Sequence, residues 1–552
     1  MIRRGLLSAL LSALLTGTCL LLAMPVLGVL GSWLATDAAA LATLRHQAQT
    51  VLPGYAGQSL LLALGVGLGV VVLGAATAVA VTLFEFPGRR HFEWALLLPL
   101  AMPAYVLAYA WTDALQFASP LHQALRALLG AQGALWPDVR SLGGAVLLFI
   151  LCLYPYVYLL TRAALGERAV QLMEAARLLG AGMRRRVFEV ALPLARPAVA
   201  AGLALALMET LADYGVGSYF GLATFSTGIF KAWLAMNDRV AAAQLASVLL
   251  LVVGLLLLIE RRAQRRLRFA SSRNGLAAAT TSTEARPVRL RGAARWLVWL
   301  LCALPVLLGF VLPVAWLAWM LWQEAMHSEF GLPLARFAGW AWASLRLAGL
   351  AALMATVLAL MLGFALRQQR APGLHAAARL LSLCYAVPGA VIAVGVLLPM
   401  GWLQAQFPQL TISAVVTGTA FGVLYAYVAR FSAVALQSVE AGYARVPLAI
   451  DESARMLGGS AKRLFFKLHL PLLQRSAFAA ALLVFVDVMK ELPATLVLRP
   501  FGSDTLAVAA YNFARDERLA EAALPSLAIV AVGLIPVLLL SRAMRAPPNI
   551  TP

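Results

Sequence analysis

At 552 residues, with 62% hydrophobic and 12% charged residues and a mean hydropathy of +0.84, the chain lies far from soluble globular usage, in which roughly 25% of residues are charged. The net charge of +20 does not point to nucleic acid, because the bases fall in alternate loops between long apolar runs. Those runs reach about 18 residues or more, enough to cross a hydrocarbon core of about 30 Å as helices, and they lack the alternation of an outer-membrane barrel. An all-α, polytopic membrane protein follows.

Met1-Ile2-Arg3-Arg4 ahead of the apolar run Leu6 to Leu34 has the basic start of a signal peptide. The run exceeds the apolar core of such a peptide, about 7 to 15 residues, so it reads as a retained first helix with a cytoplasmic N-terminus. Further spans are expected at 58–84, 93–114, 142–161, 197–217 and 241–259, then at 296–322, 343–366, 379–400, 411–430, 476–498 and 522–541. That is about 12 transmembrane helices. Pro103, Pro155 and Pro388 fall inside spans and read as packing features. Cys19, Cys152, Cys302 and Cys384 lie in apolar runs without a CxxC spacing, and the six histidines are scattered, so neither disulfide nor metal site is expected.

With the N-terminus inside, the inner segments hold Arg3, Arg4, Arg89 and Arg90, the 162–196 loop, 260–295, Arg367 to Arg379, 430–475, Arg542 and Arg545. They contain about 33 of the 44 Lys and Arg, a bias that fixes orientation. Both termini are then cytoplasmic. Residues 260–295 are small, polar and basic without apolar periodicity, and read as a cytoplasmic linker. Arginines there are worth about 1 kcal/mol each against anionic lipid, which makes membrane lipid its expected contact. The linker divides the chain into halves 1–259 and 296–552. Each half has an even number of spans, so the repeat is parallel, about an axis along the membrane normal.

The repeat is carried by two charged, glycine-broken stretches. EAARLLGAGMRRRVFEVALPL (Glu174 to Leu194) and ESARMLGGSAKRLFFKLHLPL (Glu452 to Leu472) superimpose at a constant offset of 278 residues, 174 to 452. They agree at Glu174/Glu452, Ala176/Ala454, Arg177/Arg455, Leu179/Leu457, Gly180/Gly458, Arg185/Arg463, Phe188/Phe466 and Leu192-Pro193-Leu194/Leu470-Pro471-Leu472. Each lies between the fourth and fifth span of its half. Helix formers, a glycine break and a second helical run ending at proline predict two short helices meeting at a bend. Apolar residues (Leu178, Leu179, Val187, Phe188; Met456, Leu457, Phe465, Phe466) interleave with bases, which suits a helix docking into a groove on a soluble partner. An amphipathic loop lying on the bilayer is the plainer alternative.

Glu174-Ala175-Ala176, then Gly180 and Val190-Ala191-Leu192-Pro193, resembles the EAA loop of permease subunits of bacterial binding-protein-dependent ABC importers. The second copy carries Ser453 at the middle alanine and reads Leu468-His469-Leu470-Pro471. With the segments Leu211 to Gly221 and Lys490 to Ser526, the whole chain resembles the fused, two-loop permeases of the ferric-iron importer family. Thiamine and phosphonate permeases share that architecture. The resemblance implies the MetI-like permease fold, an inner-membrane location, two copies of a cytoplasmic ABC ATPase seated on the loops, and a periplasmic ferric-iron-binding protein. It also implies an ATPase-coupling set of Glu174, Ala176, Arg177, Gly180, Phe188, Leu192, Pro193, Glu452, Ala454, Arg455, Gly458, Phe466, Leu470 and Pro471. Nothing in the chain reads GxxxxGK[ST], so ATP and Mg are expected on the partner, and the chain itself is expected to be a transport subunit without a cofactor. A gradient-driven carrier of two six-span halves is the rival class, and it would not need the repeated loop.

The repeat also aligns Glu209 with Asp487 and Asp213 with Glu491, each pair spaced i, i+4 near the outer end of a fifth span, on one helix face. Carboxylates in spans are costly and face a bundle interior or an aqueous path. With Tyr214 and Lys490 they form the candidate translocation path. Two readings stand: transient Fe3+ contact at Asp213 and Glu491, with no stable metal site, or structural pairing through Lys490.

Overall fold

The computed structural model describes residues 2–35, 38–272, 288–328, 331–368 and 371–544. The middle of the expected linker (273–287), Met1, Arg370 and Arg545 lie outside them. Among the described residues, eleven helices are long and apolar enough to cross a membrane, and a bent pair makes up to 12. In chain order these are Ser12–Leu34, Leu52–Leu83, the pair Arg89–Ala101 and Ala104–Leu129, Leu142–Gly166, Met183–Ala212, Arg239–Ala263, Ala293–His327, Leu334–Gln368, Gly389–Gln406, Phe421–Tyr443, Ala461–Met489 and Leu519–Leu539. The chain is a multi-pass, all-α membrane protein.

Several boundaries differ from the sequence expectation, each for a local reason. The third span is broken: its two pieces meet at 90°, where Pro103, extended at φ −60 and ψ 143, precedes Ala104–Leu115. Pro388 does the same for Gly389–Gln406, so the expected helix at 379–400 starts late, after a 3-10 turn at Cys384–Ala386. Proline cannot donate and disfavours helix in the residue before it, which turns both sites into starts. The fifth spans stop at Ala212 and Met489, short of 217 and 498, and short helices Gly215–Tyr219 and Pro493–Leu498 follow. The basic residues after 259 do not begin a loop, because helix Arg239–Ser272 runs through them. Within the expected linker, Val288 and Arg289 pair as a parallel strand with Phe84 and Glu85.

The described chain packs as two compact units that do not follow the order of the halves. One comprises 1–47, 229–250 and 333–509; the other comprises 48–228, 251–332 and 510–552. Each is built on a triplet of spans. In the second unit these are Leu52–Leu83, Leu142–Leu178 and Leu192–Ala212; in the first they are Leu334–Gln368, Phe421–Tyr443 and Leu470–Met489. Helices in lipid gain by close approach, and Gly202 shows how close: a Cβ there would lie 2.7 Å from Val157 Cα. Around the triplet of the first unit pack the N-terminal helix and Gly389–Gln406. In the second unit Leu519–Met544 packs on Leu312–His327. Buried polar tips find acceptors: Tyr154 Oη donates to Leu96 O and Tyr158 Oη to Glu93 O, both at 2.9 Å.

Candidate functional site: two exposed loops and the carboxylates beyond them

Both repeated stretches bend in the same way. In the first, the helix ends at Leu178 and Gly180 turns left-handed (φ +80), with Gly180 N–H donating to Arg177 O at 3.0 Å and Ala181 N–H to Ala176 O at 2.9 Å. In the second, Gly458 (φ +77) donates to Arg455 O and Gly459 N–H to Ala454 O, both at 2.9 Å. The long return bond closes a Schellman turn, which needs a residue at positive φ and so favours glycine. Helix resumes at Met183–Arg185 and Ala461–Leu464, where the Ser460 hydroxyl caps the second copy by accepting from Arg463 N–H at 3.3 Å.

The Leu-Pro signature does not end the second helix, as its position suggested. Arg186–Ala191 and Phe465–His469 form a π turn, with Leu192 N–H donating to Val187 O and Leu470 N–H to Phe465 O. Pro193 and Pro471 then stand in the first turn of a long helix, where a missing N–H costs least. The wider π turn gives each proline ring room, and such turns are a common adjustable joint.

The surfaces are matched too. Glu174/Glu452, Arg177/Arg455, Gly180/Gly458 and Phe188/Phe466 are exposed, while Ala176/Ala454 are half-buried. Leu178 and Leu179 are 82% and 87% exposed, and Met456 and Leu457 are 89% and 87% exposed. Paired apolar tips flanked by exposed Arg184, Arg185, Lys462 and Arg463 form an exposed apolar patch with a basic rim on each loop. Val187 and Phe465, expected on that face, turn inward instead: Val187 joins an apolar cluster, and Phe465 packs edge-on against Phe364 at 5.2 Å.

The copies differ in how they are held. The first is no separate short helix, since Leu142–Leu178 runs unbroken from span to tip. In the second, the span stops at Tyr443, Pro447 intervenes, and Leu448–Met456 is a helix of its own. Here sequence reasoning missed a buried group. Asp451 Oδ2 takes Arg367 Nε at 2.6 Å, and its Oδ1 lies 3.0 Å from His469 Nε2, whose Nδ1 is 2.9 Å from Tyr443 Oη. The sign in the sequence was an aspartate beside Glu452 with no counterpart at Met173.

The carboxylates beyond the loops are not two per helix face. Glu209 and Asp487 lie in the spans, whereas Asp213 and Glu491 lie past the helix ends and cap the short helices that follow. Asp213 Oδ1 accepts from Val216 N–H at 2.8 Å. Glu491 accepts from Ala494 N–H (2.9 Å), Thr495 N–H (3.0 Å) and Thr495 Oγ1 (2.6 Å), and pairs with Arg430 Nη1 at 3.3 Å. Arg430, counted above among inner-loop bases, sits within the tenth span with its side chain 13% exposed. Asp487 pairs with Lys490 at 3.0 Å. Glu209 has no ion pair among the described residues. Tyr214 Oη lies 3.2 Å from Tyr511 Oη.

Residues 70–269 match the family described as the inner membrane component of binding-protein-dependent transport systems. The chain is similar over most of its length to the Fe(3+)-transport system permease protein FbpB 2 of Haemophilus influenzae, with 25% identity over 487 residues, 88% of each chain. Over residues 70–269 the chain is thus similar to binding-protein-dependent permeases. It is also 22% identical over 477 residues to the ferric transport system permease protein FbpB of Actinobacillus pleuropneumoniae, covering 83% of this chain and 66% of that one. A shorter stretch, 133 residues at 32% identity, matches the molybdenum transport system permease protein ModB of Escherichia coli, covering 24% of this chain and 55% of that protein. Each of these relatives is named as the permease protein of a transport system.

Proposed function

We propose that the permease is the membrane subunit of an ATP-driven importer that moves ferric iron, handed over by a periplasmic binding protein, across the bacterial inner membrane. The observation that carries the energy source is the pair of matched exposed loops. A left-handed glycine, an exposed apolar pair and a π joint recur in both. Each loop seats one cytoplasmic ATPase subunit, which holds ATP and Mg. By the parity of spans both seats face the cytoplasm, together with both termini and the linker between halves 1–259 and 296–552. Closure of the ATPases pulls on the seats, and the π joints at 186–191 and 465–469 pass that motion to the fifth spans. This is a coupling between sites through a two-state element.

Iron as cargo is supported by the two ferric relatives that match this chain over most of its length. A hard trivalent cation takes oxygen donors. Of the four repeated carboxylates, Asp213 and Glu491 are occupied by helix N-termini, and Asp487 by Lys490. Glu209 is therefore the carboxylate left to meet a passing cation, with Asp213 four residues on.

The test is reconstitution of the complete complex in proteoliposomes with its ATPase and binding protein. Ferric iron should stimulate ATP hydrolysis and enter the lumen, while thiamine, 2-aminoethylphosphonate and molybdate should not. Stimulation by one of the other three would replace the cargo and keep the class. Uptake driven by a proton gradient without the ATPase would overturn the class.

A further inference from the structure

The break at Pro447 poses a mechanical problem that the first loop does not have. There, the coupling segment is the end of a continuous helix, and force at the tip reaches the fourth span along the helix axis. In the second loop the helix stops at Tyr443, and the next begins at Leu448. What bridges the gap is Arg367, at the end of the eighth span. Its Nη1 donates to Tyr443 O at 3.2 Å and its Nη2 to Pro447 O at 3.1 Å, so it satisfies carbonyls on both sides of the break. Its Nε holds Asp451 in the first turn of the following helix, where a carboxylate suits the helix dipole. His469, from the π turn, takes the second Asp451 oxygen and reaches Tyr443 Oη. Both partners of the Arg367–Asp451 pair are under 10% exposed, at 8% and 6%, and His469 is 1% exposed.

The matched positions of the first loop, 278 residues earlier, are Leu165 for Tyr443, Met173 for Asp451 and Ala191 for His469. All three belong to one apolar cluster with Val79 and Leu83. Aligning Pro87-Gly88 with Pro372-Gly373 puts Thr82 opposite Arg367, and Thr82 Oγ1 is buried without a hydrogen-bond partner among the described residues. The same place can therefore be built from apolar residues. A buried ion pair is often no more stable than such a filling, so stability alone does not account for the tetrad. Directional bonds add a fixed angle, whereas apolar contact tolerates small shifts at little cost.

We propose that Arg367, Asp451, His469 and Tyr443 form a clasp that replaces helix continuity at the second loop, with Asp451 a positioning residue that locks segment 448–456 to the fourth span of its half. The functional consequence rests on the reading of the loops as ATPase seats, but the geometry does not. In the permease, spin labels at Ala441→Cys and Ser453→Cys span the break, and labels at Ala163→Cys and Ala175→Cys span the matched stretch of continuous helix. The two wild-type distance distributions should be equally narrow; a broad one across the break, which no variant's folding can affect, overturns the clasp. Asp451→Asn and Arg367→Lys should each widen the 441–453 distribution at least twofold and leave 163–175 unchanged. In the full complex, each should also lower cargo moved per ATP several-fold while ATP hydrolysis continues. An unchanged 441–453 width in either assembled variant overturns the proposal. Failure of the ATPase to bind either loop, with the widths as expected, overturns the seat reading alone.

Discussion

The left-handed glycines give the sharpest handle on the loops. A Cβ added at Gly180 or Gly458 would meet nothing within 4 Å, so substitutions there read the backbone and not the packing. At φ +80 and +77 an alanine costs about 1 to 2 kcal/mol, asparagine less, and proline is excluded because its ring holds φ near about −65°. Proline also removes the N–H that bonds Arg177 O or Arg455 O. If only the bent loop fits the ATPase, the alanine variants should bind it about 5- to 30-fold more weakly, since about 1.4 kcal/mol is a factor of ten. The order at both positions should be Gly, Asn, Ala, Pro. Titration of the purified permease with its ATPase, with uptake in proteoliposomes alongside, reads this out. Wild-type affinity for either proline variant, or alanine equal to glycine, would refute the reasoning.

Three further expectations follow from the same geometry. Leu179→Ala and Leu457→Ala should shift the stability of the isolated permease by less than about 0.5 kcal/mol, because both side chains are exposed, yet weaken ATPase binding by about 1 to 2 kcal/mol each; calorimetry and titration separate the two effects. Glu491→Gln should destabilise the fold by about 3 to 5 kcal/mol by leaving Arg430 buried without its charge partner, whereas Glu209→Gln should leave stability nearly unchanged and reduce iron uptake; full uptake by Glu209→Gln would remove it from the path. Just before the last span, the Arg140 guanidinium bonds both oxygens of Glu517 at 2.7 and 2.6 Å and holds its carboxyl below the usual range. The contribution is therefore present above the ordinary carboxylate pKa and lost as pH falls through the depressed one. Glu517 is largely exposed, so Glu517→Gln should cost about 0.5 to 1 kcal/mol at pH 7, and thermal melts of wild type and variant should converge in acid.

Span number was legible because a bilayer demands long apolar runs, and the loops were legible because Glu174 to Leu194 is written twice. The breaks were harder to read. Pro103 read as a packing feature inside one span, but with the 3-10 turn Leu98–Ala101 before it, it turns the chain by 90°. Pro193 looked like a stop, but a π turn lets the helix continue. The i, i+4 spacing of Glu209 and Asp213 suggested one helix face, which fails because the span ends at Ala212. The Arg430–Glu491 and Arg367–Asp451 pairs join residues 61 and 84 positions apart, and neither periodicity nor spacing brings such residues together.

The most direct test of two ATPase seats on one chain is native mass spectrometry of the assembled complex, wild type beside permeases with one loop disabled by Leu178→Glu and Leu179→Glu or by Met456→Glu and Leu457→Glu. The account predicts two ATPase subunits per wild-type chain and one fewer seated directly on either variant. Two subunits retained on a permease with a disabled loop, or none on the wild type, would contradict it.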